Sequence, residues 1–348
     1  MTKAGIKQLL KFGVSLLLLF FTLRLVDWRG SLELAGRANP GLLAAAVGLL
    51  LAERILSVSK WLLLLRAKGS PITFWRLLVI NYIGGFWGLV LPSSVSADIV
   101  RGYYLSKSTA NVSLAVTSMV IDRLMGALSL VFLGCVSVWM VGDTFGLANA
   151  RLIVAGVAGG SVLAIALLFH NDFIHWVDRR IIQRVADRKI IRQVRRWIVS
   201  CLQYRQYPQA LCMSFLLTMF VQILRILVFY AVAASFGVHV SVTYYFIFVP
   251  LMMLLIILPV SINGIGVREG SFVAFFALVG VPSSQAFIIS FVVSVLTTLM
   301  TAVGGIVYMF DKSAVAPGAG SQKSEVRDQM SETRDQNKES LARSKKSE

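Results

Sequence analysis

Charge is scarce in this chain of 348 residues. Asp, Glu, Lys and Arg make up 15% of it, against 57% hydrophobic residues. Soluble domains carry about 25% charged residues, and a chain this apolar cannot hide its side chains in one water-soluble core. A soluble enzyme and a disordered protein are thereby excluded. Cysteine is almost missing. Cys135, Cys201 and Cys212 form no CxxC pair and no metal-ligand spacing, which excludes a disulfide scaffold. The three histidines, His170, His175 and His239, stand in no HExxH or HxxxH pattern, so neither a metal nor a cofactor is expected. A GxxxxGK[ST] loop is also lacking, so no ATP motor is expected. Acidic residues are few: 17 Asp and Glu face 34 Lys and Arg, for a net charge of +17. Basic loops on the cytoplasmic side of a membrane protein account for that excess, and a nucleic-acid partner is not needed.

What remains is an all-α polytopic membrane protein. A spanning helix needs about 20 mainly apolar residues. Six segments qualify, at about 9–27, 41–65, 113–141, 152–170, 209–236 and 284–310. The first follows Lys3, Lys7 and Lys11 like a signal peptide, but no small-residue cleavage site comes after it, so it is expected to stay as a span. With the N-terminus in the cytoplasm, every long basic segment falls on the cytoplasmic side. The most basic of them, 171–208, holds nine Lys and Arg against three Asp. Its stretch about 171–205 fits an amphipathic helix on an anionic inner leaflet, or a solvated linker helix. Residues 313–348 are polar and charged and are expected to be a disordered cytoplasmic tail, leaving 1–312 as the transmembrane domain.

Two further apolar stretches, about 73–106 and 243–280, are broken by Leu-Pro and small polar residues. Proline removes a backbone donor, and a break at membrane depth must face protein or a water-filled cavity. The charge pattern favours two re-entrant broken-helix hairpins over two kinked helices. They also resemble each other. Leu91-Pro92-Ser93-Ser94-Val95-Ser96-Ala97-Asp98-Ile99-Val100-Arg101 aligns without a gap on Leu258-Pro259-Val260-Ser261-Ile262-Asn263-Gly264-Ile265-Gly266-Val267-Arg268. Three spans lie between the copies, so the second is upside down: an inverted repeat of the kind seen in secondary transporters. Ser94, Ser96, Asn263, Gly264 and Gly266 would let the backbone turn and leave N–H groups free. A half-helix N-terminus then suits an anion, and Arg101 and Arg268 would grip a phosphate with paired hydrogen bonds. The expectation is that both arginines meet on one anion, with Asp98 and Glu269 beside them.

Five arginines fall at membrane depth: Arg54, Arg101, Arg123, Arg225 and Arg268. Unpaired, they would cost roughly 12–17 kcal/mol. Glu53, Asp98, Asp122 and Glu269 are the nearby acids. Adjacent helix residues point about 100° apart, so Glu53-Arg54 and Asp122-Arg123 must seek partners on other helices. Asp98 and Arg101, three apart, share a face. A structural salt-bridge network is the competing explanation, above all for Arg54 and Arg123.

The runs Leu91–Arg101, Ile121-Asp122-Arg123 and Asn263-Gly264-Ile265-Gly266-Val267-Arg268-Glu269, with Lys60-Trp61, resemble the transmembrane region of lysylphosphatidylglycerol synthases. This is the flippase-like domain of the multiple peptide resistance factor proteins, and the resemblance covers roughly residues 5–312. It implies a bacterial inner-membrane module, multi-pass with both termini cytoplasmic, that moves phospholipid between leaflets. Family members often carry Gly where this chain has Ser93, Ser94 and Ser96. The family's soluble lysine-transferring domain has no counterpart here, so the resemblance implies translocation rather than aminoacylation. The expected function is therefore non-enzymatic transport of an anionic phospholipid or polyprenyl-phosphate-linked lipid through a midplane cavity lined by arginine. Rival readings are a membrane-embedded transferase acting on a lipid phosphate and a non-catalytic partner of a soluble lipid-modifying synthase. A homo-oligomer is compatible with either.

Overall fold

Helix starts are written into the sequence. Asn39 accepts hydrogen bonds from the Gly41 and Leu42 N–H groups at 2.9 and 3.3 Å, and Pro40 fills the first helical position, where its missing N–H costs nothing. Thr73 and Asn111 cap two later helices in the same way, and Pro208 opens another. The computed structural model describes residues 38–91, 96–141, 203–257 and 264–311 except 265, together with Gly36 and Gly159. The expected span at 9–27, that at 152–170 apart from Gly159, residues 171–202 of the basic segment, the tail 313–348 and residues Ser93, Ser94 and Asn263 lie outside them.

The described residues form eight α-helices and no strand: α1 (Pro40–Ala67), α2 (Phe74–Val90), α3 (Ser96–Thr109), α4 (Val112–Val141), α5 (Pro208–Ser235), α6 (Val242–Ile257), α7 (Val267–Ala277) and α8 (Ser283–Phe310). A 3-10 turn, Gln203–Gln206, precedes α5. Four helices, α1, α4, α5 and α8, are long and apolar enough to cross a membrane. They match the expected segments 41–65, 113–141, 209–236 and 284–310 to within two residues at each end. The described residues up to Gly304 fall in one compact unit. In the second, 305–348, the described part is the end of α8, where the Asp311 N–H still bonds to the Val307 carbonyl.

α1 and α5 pack against each other most extensively, and they run antiparallel. The Asn39 N–H donates to the Ser235 carbonyl at 2.8 Å, joining the start of α1 to the end of α5. At the opposite end the Tyr204 hydroxyl donates to the Leu64 carbonyl and Lys68 Nζ to Gln203 Oε1. That end carries Arg66, Lys68, Arg76, Lys107 and Arg205.

Each broken stretch is a pair of helices folded back on itself. In the first, Arg76 Nε at the start of α2 donates to Ser108 Oγ at the end of α3. The backbones come close because Gly84 and Gly88, four apart on α2, face Arg101 and Ala97 on α3. A Cβ at Gly88 would sit 2.8 Å from the Ala97 Cβ. In the second pair, Tyr245 and Phe248 early in α6 meet Phe276 late in α7, with ring centroids 4.8 and 5.3 Å apart. α2 follows the C-terminal end of α1, whereas α6 follows the C-terminal end of α5, which lies by the N-terminal end of α1. The two hairpins therefore open toward opposite ends of the α1–α5 pair.

The core centres on aromatics. Phe229 stacks on Phe272 at 5.2 Å, Phe272 on Phe276 at 4.2 Å, and Phe248 on Phe275 at 5.7 Å. Lipid is as apolar as these rings, so close packing and ring geometry, rather than escape from water, hold them. The cluster fixes α5, α6 and α7 around the residue that begins α7, one step before Arg268.

Candidate functional site

The second break is built for a tight turn. Gly264 and Gly266 have φ of 76° and 81°, a region that only glycine enters without strain. A Cβ on Gly264 would also approach Ile256 Cγ2 to 2.8 Å. α7 then begins, and Glu269 stands at its third position. Its Oε2 accepts the Gly266 N–H at 2.8 Å, and the Arg268 N–H bonds to the Gly264 carbonyl at 2.9 Å. The free backbone donors expected here are thus taken by the chain itself at two positions, because an acid at the third helical position reaches back to the cap. Glu269 Oε1 also accepts from Ser294 Oγ at 2.9 Å, and Ser294 Oγ in turn accepts from Arg268 at 2.9 Å. One hydroxyl of α8 thereby links Arg268 and Glu269, two residues that cannot pair directly as helix neighbours.

In the first hairpin, Ser96 is buried at the start of α3, and Asp98 and Arg101 follow on one face. Their closest N–O distance is 3.8 Å, long for a hydrogen bond. Asp98 is held more tightly by Arg123 of α4, whose Nε donates to Asp98 Oδ2 at 2.9 Å. The acid-base dipeptides split onto other helices, as their geometry requires. Glu53 pairs with Arg225 of α5 through contacts of 3.0 and 2.7 Å to Oε1. Asp122 pairs with Lys60 of α1 at 2.9 Å. Arg54 donates to Asn81 Oδ1 of α2 at 2.9 Å and to Thr301 Oγ1 of α8 at 3.1 Å, and lies over the Tyr82 ring.

Arg225 carries the sole charge of α5 and is neutralised by Glu53. It also borders a crevice, too narrow to admit a water molecule, with Gln222, Leu130, Val249, Pro250 and Met253. Gln222 is itself bound to Ser129 of α4 at 3.2 Å.

The two repeat arginines keep different company: Asp98 for Arg101 and Ser294 for Arg268. Arg268 binds Ser294 of α8, and Thr301, two turns further along α8, binds Arg54, which also holds Asn81 of α2. Glu53, next to Arg54, binds Arg225 of α5. In both repeat arginines the Nε–H is buried and has no hydrogen-bond partner among the described residues. Burying an N–H of a charged group unsatisfied is expensive.

Sequence reasoning missed Asn81, Ser294 and Thr301, and used Lys60 only as part of the Lys60-Trp61 pair. The signal was present. Asn81 is the sole amide among the apolar residues in the middle of α2, and Ser290, Ser294, Thr297 and Thr301 recur at helical spacing along α8. Among the described residues no group of three or more His, Cys, Asp or Glu is placed to hold a metal ion.

Apolar helices of spanning length, carrying paired charges between them, define a membrane-embedded, helical protein. The chain matches the Lysylphosphatidylglycerol synthase TM region family over residues 8–305, and it belongs to that family. Neither a curated protein nor a solved structure matches it.

Proposed function

We propose that this protein is a lipid transporter that moves an anionic lipid, a phospholipid or a polyprenyl-phosphate-linked lipid, between the two leaflets. The head group travels past the cations between the hairpins, and the hydrocarbon tail stays in the bilayer. The chain modifies no bond. Movement runs downhill or is coupled to protons on Glu53, Asp98, Asp122 or Glu269. The two hairpins re-enter from opposite sides of an inner membrane whose cytoplasmic face meets the basic ends of α1 and α3. The basic segment about 171–205 holds that leaflet, and a soluble lipid-modifying enzyme supplies or uses the lipid.

One observation carries this reading: the buried Nε–H groups of Arg101 and Arg268, unpartnered among the described residues and each in the half-helix that follows a Leu-Pro break. Evolution of a purely structural ion-pair network has no reason to leave both donors empty, whereas an anionic guest fills them. Their placement in hairpins that open at opposite ends also supports alternating access, in which each side is reached in turn.

The test is reconstitution in liposomes with fluorescent anionic lipids and a membrane-impermeant quencher. The intact protein is expected to speed lipid crossing well above empty vesicles, and Arg101→Ala and Arg268→Ala to reduce it at least tenfold. Crossing no faster than in empty vesicles, or unchanged by either substitution, refutes the proposal.

A further inference from the structure

Of the five arginines at membrane depth, Arg123 alone is exposed, with 64% of its side chain uncovered. It belongs to the seam where α3 and α4 run antiparallel after the short turn at Ala110 and Asn111. Along that seam Asp98 and Gly102 of α3 meet Arg123 and Met119 of α4, and a Cβ on Gly102 would come within 3.2 Å of Met119 Cε. Because the helices are antiparallel, one step further round each of them lies on the same flank of the pair. That flank is Ile99 and Tyr103 on α3 and Val120 and Leu124 on α4, all exposed. The opposite flank is closed: Arg101 packs over Gly84 of α2, and Asp122 binds Lys60 of α1. Arg123 is thus set in an apolar face near the middle of a spanning helix. Asp98 takes its Nε and Nη2 groups, while Nη1 has no hydrogen-bond partner among the described residues. An arginine N–H in hydrocarbon without an acceptor is costly, and a lipid phosphate drawn down to it supplies one.

Resting on the transport reading above, we propose that the α3–α4 seam is the side door through which the lipid enters from the bilayer, and that Arg123 receives its phosphate. The occupant is an anionic bilayer lipid, with its phosphate on the open side of Arg123 and its chains on Ile99, Tyr103, Val120 and Leu124. The same flank starts at the basic end of the bundle with Lys107, whose ammonium lies over the Tyr103 ring at 4.8 Å, so the head group is led down from that leaflet. Asp98 is the bolt of the door. It holds Arg123 at 2.9 Å on the outer side and stands 3.8 Å from Arg101 on the inner side. A phosphate on Arg123 competes with Asp98 and loosens the seam. It then meets the buried Nε–H of Arg101, one turn along α3. Gly102 and Met119, a residue without a side chain against a pliable one, let the helices part.

The test has two arms, both on the full chain. In nanodiscs, phosphatidylglycerol or phosphatidylcholine carrying a diazirine on its acyl chain is photolysed, and the labelled residues are read by mass spectrometry. The anionic lipid is expected to label the flank about fivefold more than the zwitterionic one, whose ammonium offsets its phosphate. Arg123→Gln is expected to erase that excess and Arg123→Lys to keep most of it. Asp98→Asn combined with Arg123→Gln removes the ion pair without stranding a charge. A merely structural pair would leave this double variant labelled like the parent, whereas loss of the excess is expected. In liposomes, Gly102→Cys with Met119→Cys is oxidised across the seam, in a chain that also carries Cys135→Ser, Cys201→Ser and Cys212→Ser. The cross-link is expected to stop lipid crossing and reduction to restore it, a recovery that misfolding cannot imitate. Equal labelling by the two lipids, an excess that survives Arg123→Gln or the double substitution, or crossing unchanged by the cross-link overturns the proposal. If the parent moves no lipid while the anionic lipid still labels the flank, the transport reading fails instead, and Arg123 remains a lipid-binding residue.

Discussion

Replacing Glu53 by Gln should expose how strongly the centre of the bundle depends on one ion pair. Two guanidinium nitrogens of Arg225 converge on a single Glu53 oxygen at 3.0 and 2.7 Å. Charges about 4 Å apart attract by about 4 kcal/mol at an effective dielectric of 20. Desolvation of both groups offsets part of that, and the Arg225 side chain, 40% exposed, is partly screened. A coupling of about 1.5–3 kcal/mol is therefore expected. Glu53→Gln leaves Arg225 without an acid and should cost about 2–3 kcal/mol, near what a lone arginine costs in a spanning helix. Arg225→Gln should be similar. The double substitution removes both charges together and should cost clearly less than the two singles combined. Reversible unfolding of the three variants in mixed micelles supplies the cycle. If the double variant equals the sum of the singles within about 0.5 kcal/mol, the pair contributes nothing and the reasoning from its geometry is wrong.

Two other perturbations test the packing and the caps. A side chain at Gly304 would collide with the Tyr82 carbonyl, and with Phe86 Cβ at 3.1 Å, so Gly304→Val should cost about 1–3 kcal/mol or more. Its monodisperse yield in detergent should fall sharply, and a yield equal to the parent would contradict the close approach of α2 and α8. Asn39→Ala deletes the cap of α1 and should lower stability by about 1 kcal/mol. Its melting temperature should drop by a few degrees, with lipid crossing retained.

The apolar helices were the most legible part of the molecule. Hydrophobic length decides them, and nothing in α1, α4, α5 or α8 competes with it. The breaks after Leu91 and Ile257 could be read because proline and glycine act locally. The partners of the buried charges were less open to reading. That Glu53 and Asp122 would look to other helices followed from helix geometry, but which helix depends on tertiary packing. Arg225 sits 172 residues from Glu53, and no local pattern records that separation. The free donors expected at the start of α7 were misjudged for a related reason. Glu269 was taken as a companion of the anion, whereas its spacing from Gly266 is also that of a cap, and the nearer partner takes it. Ser294 and Thr301 escaped notice because hydroxyls in an apolar helix usually bond to their own backbone, as Thr301 also does.

Ser294 and Thr301 have one more implication. They lie seven residues apart on α8, two turns and about 10 Å along the axis, on almost the same side of the helix. One touches Arg268 of the second hairpin and the other Arg54, beside the first. If α8 twists about its own axis, it must let go of both guanidinium groups in the same movement. The helix is a single latch with two teeth, so neither Arg268 of the second hairpin nor Arg54 of α1 can be released from it by rotation while the other stays engaged.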